Sequence, residues 1–247
     1  MQSTIGKKCP IYKLKRLALS PYHQEGFREQ EIAMLRELGI EAQRDTEAHD
    51  TDFYITNTQI NFNLDKIDDF NNFTKLMIHP NSGHDNFTVE FVASAKFPII
   101  VGNKIRAKAV SEYILACLFQ HITKLQAHQE WVAGRTWDRP LIADKHIMVL
   151  GHGNIGKILA ATLRPLTSNI TLIDPFKIKE SKTEKINKAY DVVLLACSLN
   201  ETSENIINQQ FLTNCSTDLL LINGARGKLV DQQALMICLK KNPRSFA

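Results

Sequence analysis

The stretch KHIMVLGHGNIGKILAATLRPLTSNITLID, residues 145–174, decides the organisation of the C-terminal half of the chain. Its apolar segment His146–Leu150 predicts a buried parallel strand. The pattern G-x-G-x-x-G follows at once, with glycines at Gly151, Gly153 and Gly156. The first glycine permits a tight turn and the second lets backbone amides approach a pyrophosphate. The third lets the next helix pack closely on the strand.

The segments after the glycines complete a strand–turn–helix–strand unit. Ile155–Leu166 predicts a helix whose N-terminal N–H groups and positive dipole end face the phosphates. Ile170–Ile173 predicts the next strand, and Asp174 lies 174 − 151 = 23 residues after the first glycine. A carboxylate there binds the ribose hydroxyls of NAD and repels the extra phosphate of NADP. Strand, helix and acid together favour dinucleotide binding over the alternative, a glycine turn in an ordinary α/β unit.

The composition is that of an ordinary globular protein with room for two domains. The chain has 247 residues, of which 44% are hydrophobic and 23% charged. The net charge of +4 is spread along the chain and does not call for a nucleic-acid partner. Five cysteines without a C-x-x-C pair predict reduced thiols, no metal site and a cytoplasmic location. No apolar run approaches the length that spans a membrane.

The N-terminal part alternates strands and helices, which predicts an open parallel sheet with helices on its faces. The boundaries are taken as residues 1–103 for this domain and 104–247 for the nucleotide-binding domain. Predicted strands are Arg16–Ser20, Ile40–Arg44, Phe53–Thr56, Lys75–Ile78 and Pro98–Val101. Predicted helices are Gln24–Leu38, Leu64–Phe70 and Thr88–Ala95. A basic cluster is interpreted as a solvated N-terminus; it comprises Lys7, Lys8, Lys13, Lys15 and Arg16.

A polar loop, residues 79–86, follows the predicted strand Lys75–Ile78. Open parallel sheets bind ligands at the carboxyl ends of their strands. Small residues around Gly83 leave backbone N–H groups to hold a carboxylate, as a nest does. The alternative is a plain turn, which the loop by itself favours.

The C-terminal half continues the same alternation. Ala107–Ala127 predicts a long helix, apolar over much of its girth, between domains or subunits. Asp191–Ala196 and Leu219–Ile222 predict two more strands, and Asp231 predicts the N-cap of a helix over Gln232–Lys240.

Arg226 stands between two glycines beyond the second of these strands. A guanidinium there binds a carboxylate and a carbonyl through two parallel N–H bonds. A surface arginine remains the alternative on position alone.

Four stretches together resemble the D-isomer-specific 2-hydroxyacid dehydrogenases. They are Asn81–Asn86, Ala109–Tyr113 (AVSEY), Val149–Gly156 through Asp174-Pro175, and Leu221–Leu235 (LINGARGKLVDQQAL). The last is the most specific, and the four span most of the chain in the family's order.

The resemblance implies an α/β fold of two doubly wound parallel-sheet domains, a flavodoxin-like substrate domain and an incomplete Rossmann domain. It implies NAD as cofactor, a small 2-hydroxy or 2-keto acid as substrate, and a homodimer built through the NAD-binding domain. The backbone around Ser82, Gly83 and His84 matches the substrate-carboxylate site, and Arg226 matches the arginine that polarises the 2-keto group. Beside the glycines of the turn, the implied NAD contacts are Asn154, Ile155, Asp174, Cys197, Gly224 and Ala225.

Two departures from the family pattern stand out. Arg106 occupies a hinge position where the family commonly has asparagine. The catalytic carboxylate and histidine of the family lie C-terminal to the arginine motif, and the sequence reaches Ala247 only 247 − 226 = 21 residues after Arg226. We therefore expect a truncated form with impaired turnover and an exposed strand edge. The alternative is a non-catalytic NAD-binding protein that gates a partner interaction.

Overall fold

The computed structural model describes residues 12–17, 25–43, 50–123, 133–134, 140–174 and 189–247. The chain divides into two compact units, Met1–Ile105 (unit 1) and Arg106–Ala247 (unit 2). Within the described residues no helix has the length and apolar character needed to cross a membrane.

Unit 1 is built on a five-stranded parallel sheet. Its strands are β1 (Tyr12–Arg16), β2 (Ile40–Gln43), β3 (Phe53–Ile55), β4 (Leu76–His79) and β5 (Ile99–Val101). Its helices are α1 (Phe27–Glu37), α2 (Asp68–Asn71) and α3 (Val89–Ser94), with a 3-10 turn at Leu64–Lys66. The strand order β2-β1-β3-β4-β5 is that of flavodoxin-like sheets, so the predicted fold of this part is confirmed.

The first strand differs from the prediction of Arg16–Ser20. The observed strand is β1, Tyr12–Arg16, and residues 18–20 lie outside the described residues. The segment alternates instead of running apolar, with Leu14 pointing into the core. Its position in the sheet is central, between β2 and β3, so its charged side chains need partners.

Those partners show that part of the basic cluster was wrongly interpreted as a solvated terminus. The ammonium nitrogen of Lys13 lies 2.5 Å from a carboxylate oxygen of Asp50. Arg16 forms an ion pair with Glu31 of α1, a carboxylate that Arg28 also contacts. Burial alone raises the pKa of Glu31, but the hydrogen bonds and charges of the two arginines outweigh it and lower that pKa. Lys7 and Lys8 lie outside the described residues.

An aromatic cluster fills the core of unit 1 and anchors the loop after β4. The rings of Phe62 and Phe87 stack at 4.5 Å between centroids with planes 6° apart. Phe87 directly follows the polar loop, and the N–H of Phe62 donates to the carbonyl of Asn86 at 2.8 Å. Further rings of the cluster are Tyr54, Phe70 and Phe91. The C-terminal end of the loop is therefore held by the core.

Unit 2 contains a four-stranded parallel sheet. Its strands are β6 (Ile147–Leu150), β7 (Ile170–Ile173), β8 (Val192–Leu195) and β9 (Leu220–Asn223). Its helices are α4 (Ala107–Thr123), α5 (Asn154–Leu163), α6 (Gln209–Thr213) and α7 (Gln232–Lys241). The order is β7-β6-β8-β9, so the chain leaves β6 in one direction across the sheet and then returns to the other side at β8. The carboxyl ends of β6 and β8 form a topological switch point, where such sheets bind ligands.

Most helices and strands of unit 2 lie where the sequence predicts them. The predicted Rossmann-type α/β fold is confirmed, and Asp231 caps α7 by accepting the N–H groups of Gln233 and Ala234 at 3.0 Å each. The predicted helix Ala107–Ala127 is described as far as Thr123. One face of α4 packs into the core of unit 2 through Ala107, Ser111, Ile114, Leu118 and Ile122.

The sequence predicts an exposed strand edge, but the outer edge of β9 is partly covered. Phe246 pairs with it: the N–H of Leu221 donates to the Phe246 carbonyl, and the N–H of Phe246 donates to the Leu219 carbonyl, both at 2.8 Å. The Phe246 ring also meets His121 of α4 edge-on at 4.7 Å.

The aromatic cluster predicts a large cost for losing its central ring. Phe62→Ala removes a side chain that is only 1% exposed, so we expect the free energy of unfolding of unit 1 to fall by about 3–5 kcal/mol. Phe73→Ala is the matched control, because that ring is 55% exposed. Urea denaturation followed by the amide chemical shifts of unit 1 measures both. Equal losses in the two variants would contradict the assigned core.

Candidate functional site

The glycine turn after β6 accepts only glycine at its first position. Gly151 has φ 102°, a conformation that L side chains rarely adopt. A Cβ there would lie 2.6 Å from the backbone nitrogen of Cys197 and 2.7 Å from the carbonyl of Ala196. The turn is therefore pressed against the chain that leaves β8.

The third glycine sets the distance between the turn and α5. A Cβ on Gly156 would overlap the carbonyl oxygen of Gly151, so α5 approaches as closely as backbone allows. The N-cap is Gly153, which has no side chain to cap the N-terminus that begins at Asn154 and Ile155. An uncapped N-terminus with no Cβ at Gly153 suits an anion such as a pyrophosphate. These residues fit the phosphates of a dinucleotide.

Asp174 lies at the rim of the same turn. Its carboxylate is buried, and Oδ2 accepts the N–H of His152, the second residue of the turn, at 2.8 Å. The N–H of Gly151 donates to the carbonyl of Ile173 at 2.7 Å. The end of β7 and the glycine turn are thus tied together, and the acid is held where sequence spacing placed it.

The loop after β8 presents backbone and a protonated thiol. Burial, with the nearby Asp174 charge, raises the pKa of Cys197 to about 11. Its thiol therefore carries no negative charge at neutral pH and is a poor nucleophile. The hydroxyl of Ser203 fixes the loop by donating to the Ser198 carbonyl and accepting the N–H of Asn200, both at 2.8 Å.

The loop after β9 carries Gly224, Ala225 and Arg226. Gly224 packs so closely on α4 that a Cβ would overlap the side chain of Ile114, and its N–H reaches the Leu195 carbonyl at 3.2 Å. The Arg226 guanidinium is partly buried, and its Nη1 donates to the Ala225 carbonyl at 3.2 Å.

Asn223 braces this loop and was missed by sequence reasoning. Its Oδ1 accepts the N–H of Ala225 at 3.0 Å, and its Nδ2 donates to the carbonyl of Arg226 at 2.9 Å. An asparagine followed by glycine at the end of a strand is a turn signal that identifies such a residue. The side chain orders the backbone from which Arg226 projects.

The predicted carboxylate loop lies in unit 1. Ser82, Gly83 and His84 are consecutive beyond the end of β4; the first two are half-buried and His84 is exposed. The Nδ1 of His84 is 3.4 Å from the carbonyl of Ser82. Asn86 fixes the far side of the loop, because its Nδ2 donates to the carbonyls of Ile60 and Asn57 at 2.7 and 3.1 Å.

The structure brings the predicted residues together in two groups. The turn residues, Asp174, Cys197 and the 224–226 loop lie at the carboxyl edge of the unit 2 sheet, and residues 82–84 share one loop of unit 1. Across the described ranges, no three His, Cys, Asp or Glu side chains are grouped to hold a metal ion.

Comparison with known proteins identifies the family. Residues 115–247 match the family model described as "D-isomer specific 2-hydroxyacid dehydrogenase, NAD binding domain". The chain belongs to this family. The match covers more than half of the chain and confirms both the resemblance and the NAD-binding character of unit 2.

Individual relatives are distant. The D-3-phosphoglycerate dehydrogenase of Bacillus subtilis is 24% identical over 190 residues, which cover 69% of this chain and 36% of that protein. The chain spans between 36% and 54% of the length of the first curated relatives it matches.

Two solved structures share the fold over nearly the whole chain. An NAD+-bound 3-phosphoglycerate dehydrogenase of Entamoeba histolytica has a TM-score of 0.73 at 16% identity, covering 96% of this chain and 79% of that chain. An acyclic imino acid reductase in complex with NADPH and D-Arg has a TM-score of 0.73 at 22% identity, covering 94% and 80%.

The packing at the turn predicts that Gly156→Ala damages both stability and binding. Because the new methyl overlaps the Gly151 carbonyl, α5 must move, and we expect a loss of about 1–3 kcal/mol in the free energy of unfolding of unit 2. NADH affinity, measured by fluorescence titration, should fall at least ~10-fold as the helix N-terminus shifts.

Gly227→Ala is the control for stability, since no atom lies within 4 Å of its added Cβ. We expect a change within about 0.5 kcal/mol. If Gly156→Ala bound NADH as tightly as the unaltered protein, the close approach would not serve dinucleotide binding.

Proposed function

We propose that the protein is an NAD-dependent oxidoreductase that transfers a hydride between NAD(H) and a small 2-hydroxy or 2-keto acid. The observation that carries the proposal is the arrangement at one sheet edge. The glycine turn after β6, the Cys197 loop after β8 and the Arg226 loop after β9 end adjacent parallel strands and contact one another through backbone. A dinucleotide pocket and a guanidinium for a polar substrate thus share one edge.

The proposal assigns the cofactor to residues 104–247 and the substrate domain to residues 1–103. In the first, the phosphates are assigned to Gly151, Gly153 and Gly156 with the N-terminus of α5 at Asn154 and Ile155. The backbone of Cys197, Gly224 and Ala225 is assigned to the remainder of the dinucleotide. The support is the absence of side chains at the glycines and the uncapped helix start.

Arg226 is assigned to the reacting oxygen. Bound NAD supplies the hydride acceptor or donor at C4 of the nicotinamide. The guanidinium of Arg226 binds and polarises the 2-keto oxygen through its fork of N–H groups and stabilises negative charge that develops there. Asn223 keeps the supporting backbone in place, which lowers the cost of orienting the side chain.

Proton transfer to that oxygen needs a further group. Residues 227–247 contain no histidine and no glutamate, and Asp231 in that range is committed to capping α7. We propose that the turnover rate of the 247-residue polypeptide alone is about 10²–10⁴-fold lower than that of an enzyme that has its general acid.

The unit 1 loop Ser82–His84 is assigned to the substrate carboxylate, with its N–H groups as donors.

Two further assignments follow the family resemblance. We propose a homodimer through unit 2, supported by the exposed apolar surface of α4, where Tyr113 is 66% exposed. We propose a cytoplasmic location, supported by the free thiols of four described cysteines, Cys117, Cys197, Cys215 and Cys238.

Replacing Arg226 tests the proposed reaction. We expect Arg226→Lys to lower kcat/KM for NADH-dependent reduction of glyoxylate, pyruvate or hydroxypyruvate by about 10–100-fold, because a charged hydrogen bond worth ~1.5–3 kcal/mol is lost. NADH affinity should stay within about threefold. The measurement is NADH absorbance against time with each acid.

Arg164→Lys, at the exposed residue that directly follows α5, is the matched control and should leave the rate unchanged. NADH binding without any turnover of these acids would favour the non-catalytic NAD-binding protein. Turnover by the 247-residue chain at ordinary dehydrogenase rates would contradict the proposal that these residues lack the general acid.

Asp174→Asn tests the choice of NAD over NADP. The amide keeps an oxygen that accepts the His152 N–H but removes the charge that repels a 2′-phosphate. We expect the ratio of NADPH to NADH dissociation constants to fall about 10-fold or more, since a like-charge contact costs several kcal/mol.

Asp191→Asn is the matched control. Its Oδ2 accepts the N–H of His146 at 2.9 Å in the same kind of contact, at the opposite end of the strands. An unchanged cofactor ratio in Asp174→Asn would remove Asp174 from the specificity assignment.

A further inference from the structure

His79, the last residue of β4, is a fully buried side chain that joins the sheet to the loop beyond it. The ring has 0% of its surface exposed. Its Nδ1 lies 2.7 Å from the hydroxyl of Thr56, beyond the end of β3, and its Nε2 lies 2.9 Å from the carbonyl oxygen of Gly83. The Phe87 ring meets it edge-on at 5.2 Å between centroids with planes at 88°. The imidazole is thus held from three sides.

The two partners assign the protons of this ring. A carbonyl oxygen only accepts, so Nε2 carries the hydrogen and donates it to Gly83. In the neutral ring Nδ1 then accepts the hydrogen of the Thr56 hydroxyl. Thr56 is itself fully buried, and its N–H donates to the carbonyl of Ile78 at 2.9 Å. The chain of bonds therefore runs from the sheet core through His79 to the loop.

The bond to Gly83 fixes the direction of the next amide. In a trans peptide the carbonyl oxygen and the following N–H point in opposite directions. Because the Gly83 oxygen points at the buried ring, the N–H of His84 points away from it, towards the outside of the loop. Among the described residues, no backbone carbonyl accepts a hydrogen bond from the N–H of Ser82, Gly83 or His84. Three successive donors are thus presented by one short segment.

The other side of the loop is fixed by backbone packing. The N–H of Gly102 donates to the His79 carbonyl at 2.8 Å and to the Asn81 carbonyl at 3.2 Å. A Cβ on Gly102 would overlap the carbonyl of Pro80. Residues 79–81 are therefore held by the residue that follows β5. In the next segment the His79 ring holds the Gly83 carbonyl, and the His84 carbonyl accepts the N–H of Phe87 at 3.1 Å.

We propose that His79 is a positioning residue for the substrate carboxylate: by holding the Gly83 carbonyl, it aims the His84 N–H at the bound anion. The inference rests on the proposed function, which assigns the loop to that carboxylate. A buried histidine that serves only the core would affect stability without selecting between cofactor and substrate. A positioning residue affects binding of the carboxylate and leaves the dinucleotide site of unit 2 untouched.

Two substitutions at His79 separate the two ring nitrogens. Asparagine places an amide nitrogen near the position of Nδ1, so His79→Asn keeps a partner for Thr56 and loses the Gly83 bond. Glutamine places it near Nε2, so His79→Gln keeps the donor to Gly83. Oxalate is the probe because it is unreactive, carries the carboxylate and has no R group, and it is titrated into protein saturated with NAD+.

Amide chemical shifts and calorimetry provide the readout. In the unaltered protein oxalate should shift the amides of Ser82, Gly83 and His84. His79→Asn should raise the oxalate dissociation constant about 5–10-fold, the value of one hydrogen bond, with NAD+ affinity unchanged. His79→Gln should restore it to within about threefold. Thr56→Val, which leaves Nδ1 without its donor, should weaken oxalate binding in the same direction.

The outcomes distinguish this inference from the proposed function. Oxalate binding to folded His79→Asn as tight as to the unaltered protein overturns the positioning role alone, and so does equal loss in the asparagine and glutamine variants. If His79→Asn does not fold, unchanged oxalate affinity in Thr56→Val overturns it. Absence of any shift at residues 82–84 in the unaltered protein overturns the substrate assignment of the loop, and the inference with it.

Discussion

The approach of α5 to the glycine turn is the constraint on which unit 2 depends. Gly156 lies so close to the Gly151 carbonyl that no side chain fits, and Gly151 itself lies against the backbone leaving β8. These contacts place an uncapped helix N-terminus at the switch point of the sheet. The free N–H groups of such a terminus are stabilised by an anion. The close packing of α5 on the turn therefore also creates the anion-binding position.

In unit 1, side chains fix the backbone of the loop that follows β4. In and before this loop, side chains bond to backbone carbonyl oxygens. His79 holds the Gly83 carbonyl, and the Asn86 amide holds the carbonyls of the segment before Phe62. In both units the donors belong to backbone, and packing sets their direction. Under the proposed function, the stiffness of these loops orients the N–H groups toward cofactor and substrate.

Local signals predicted the parts of the fold whose causes are local. The turn glycines, the Ile170–Ile173 strand and the Asp231 cap follow from steric and hydrogen-bonding rules within a few residues. The first strand did not, because Lys13 and Arg16 form ion pairs there with Asp50 and Glu31, which are distant in sequence. The sequence likewise places His79 in a polar loop, because its partner Thr56 is 23 residues away along the chain. A polar residue is solvated when exposed but needs a hydrogen-bond partner when buried. Burial depends on the tertiary structure, so local sequence does not reveal it.

Mapping NAD+ onto the chain by amide chemical shifts tests the central claim most directly. The account predicts saturable shifts that centre on the backbone of Gly151, Asn154 and Ile155 and extend to Cys197 and the 224–226 loop. Residues of the unit 1 aromatic cluster should not move on cofactor addition alone. Saturable shifts that leave the glycine turn unmoved, or no saturable shifts at all, would contradict the account.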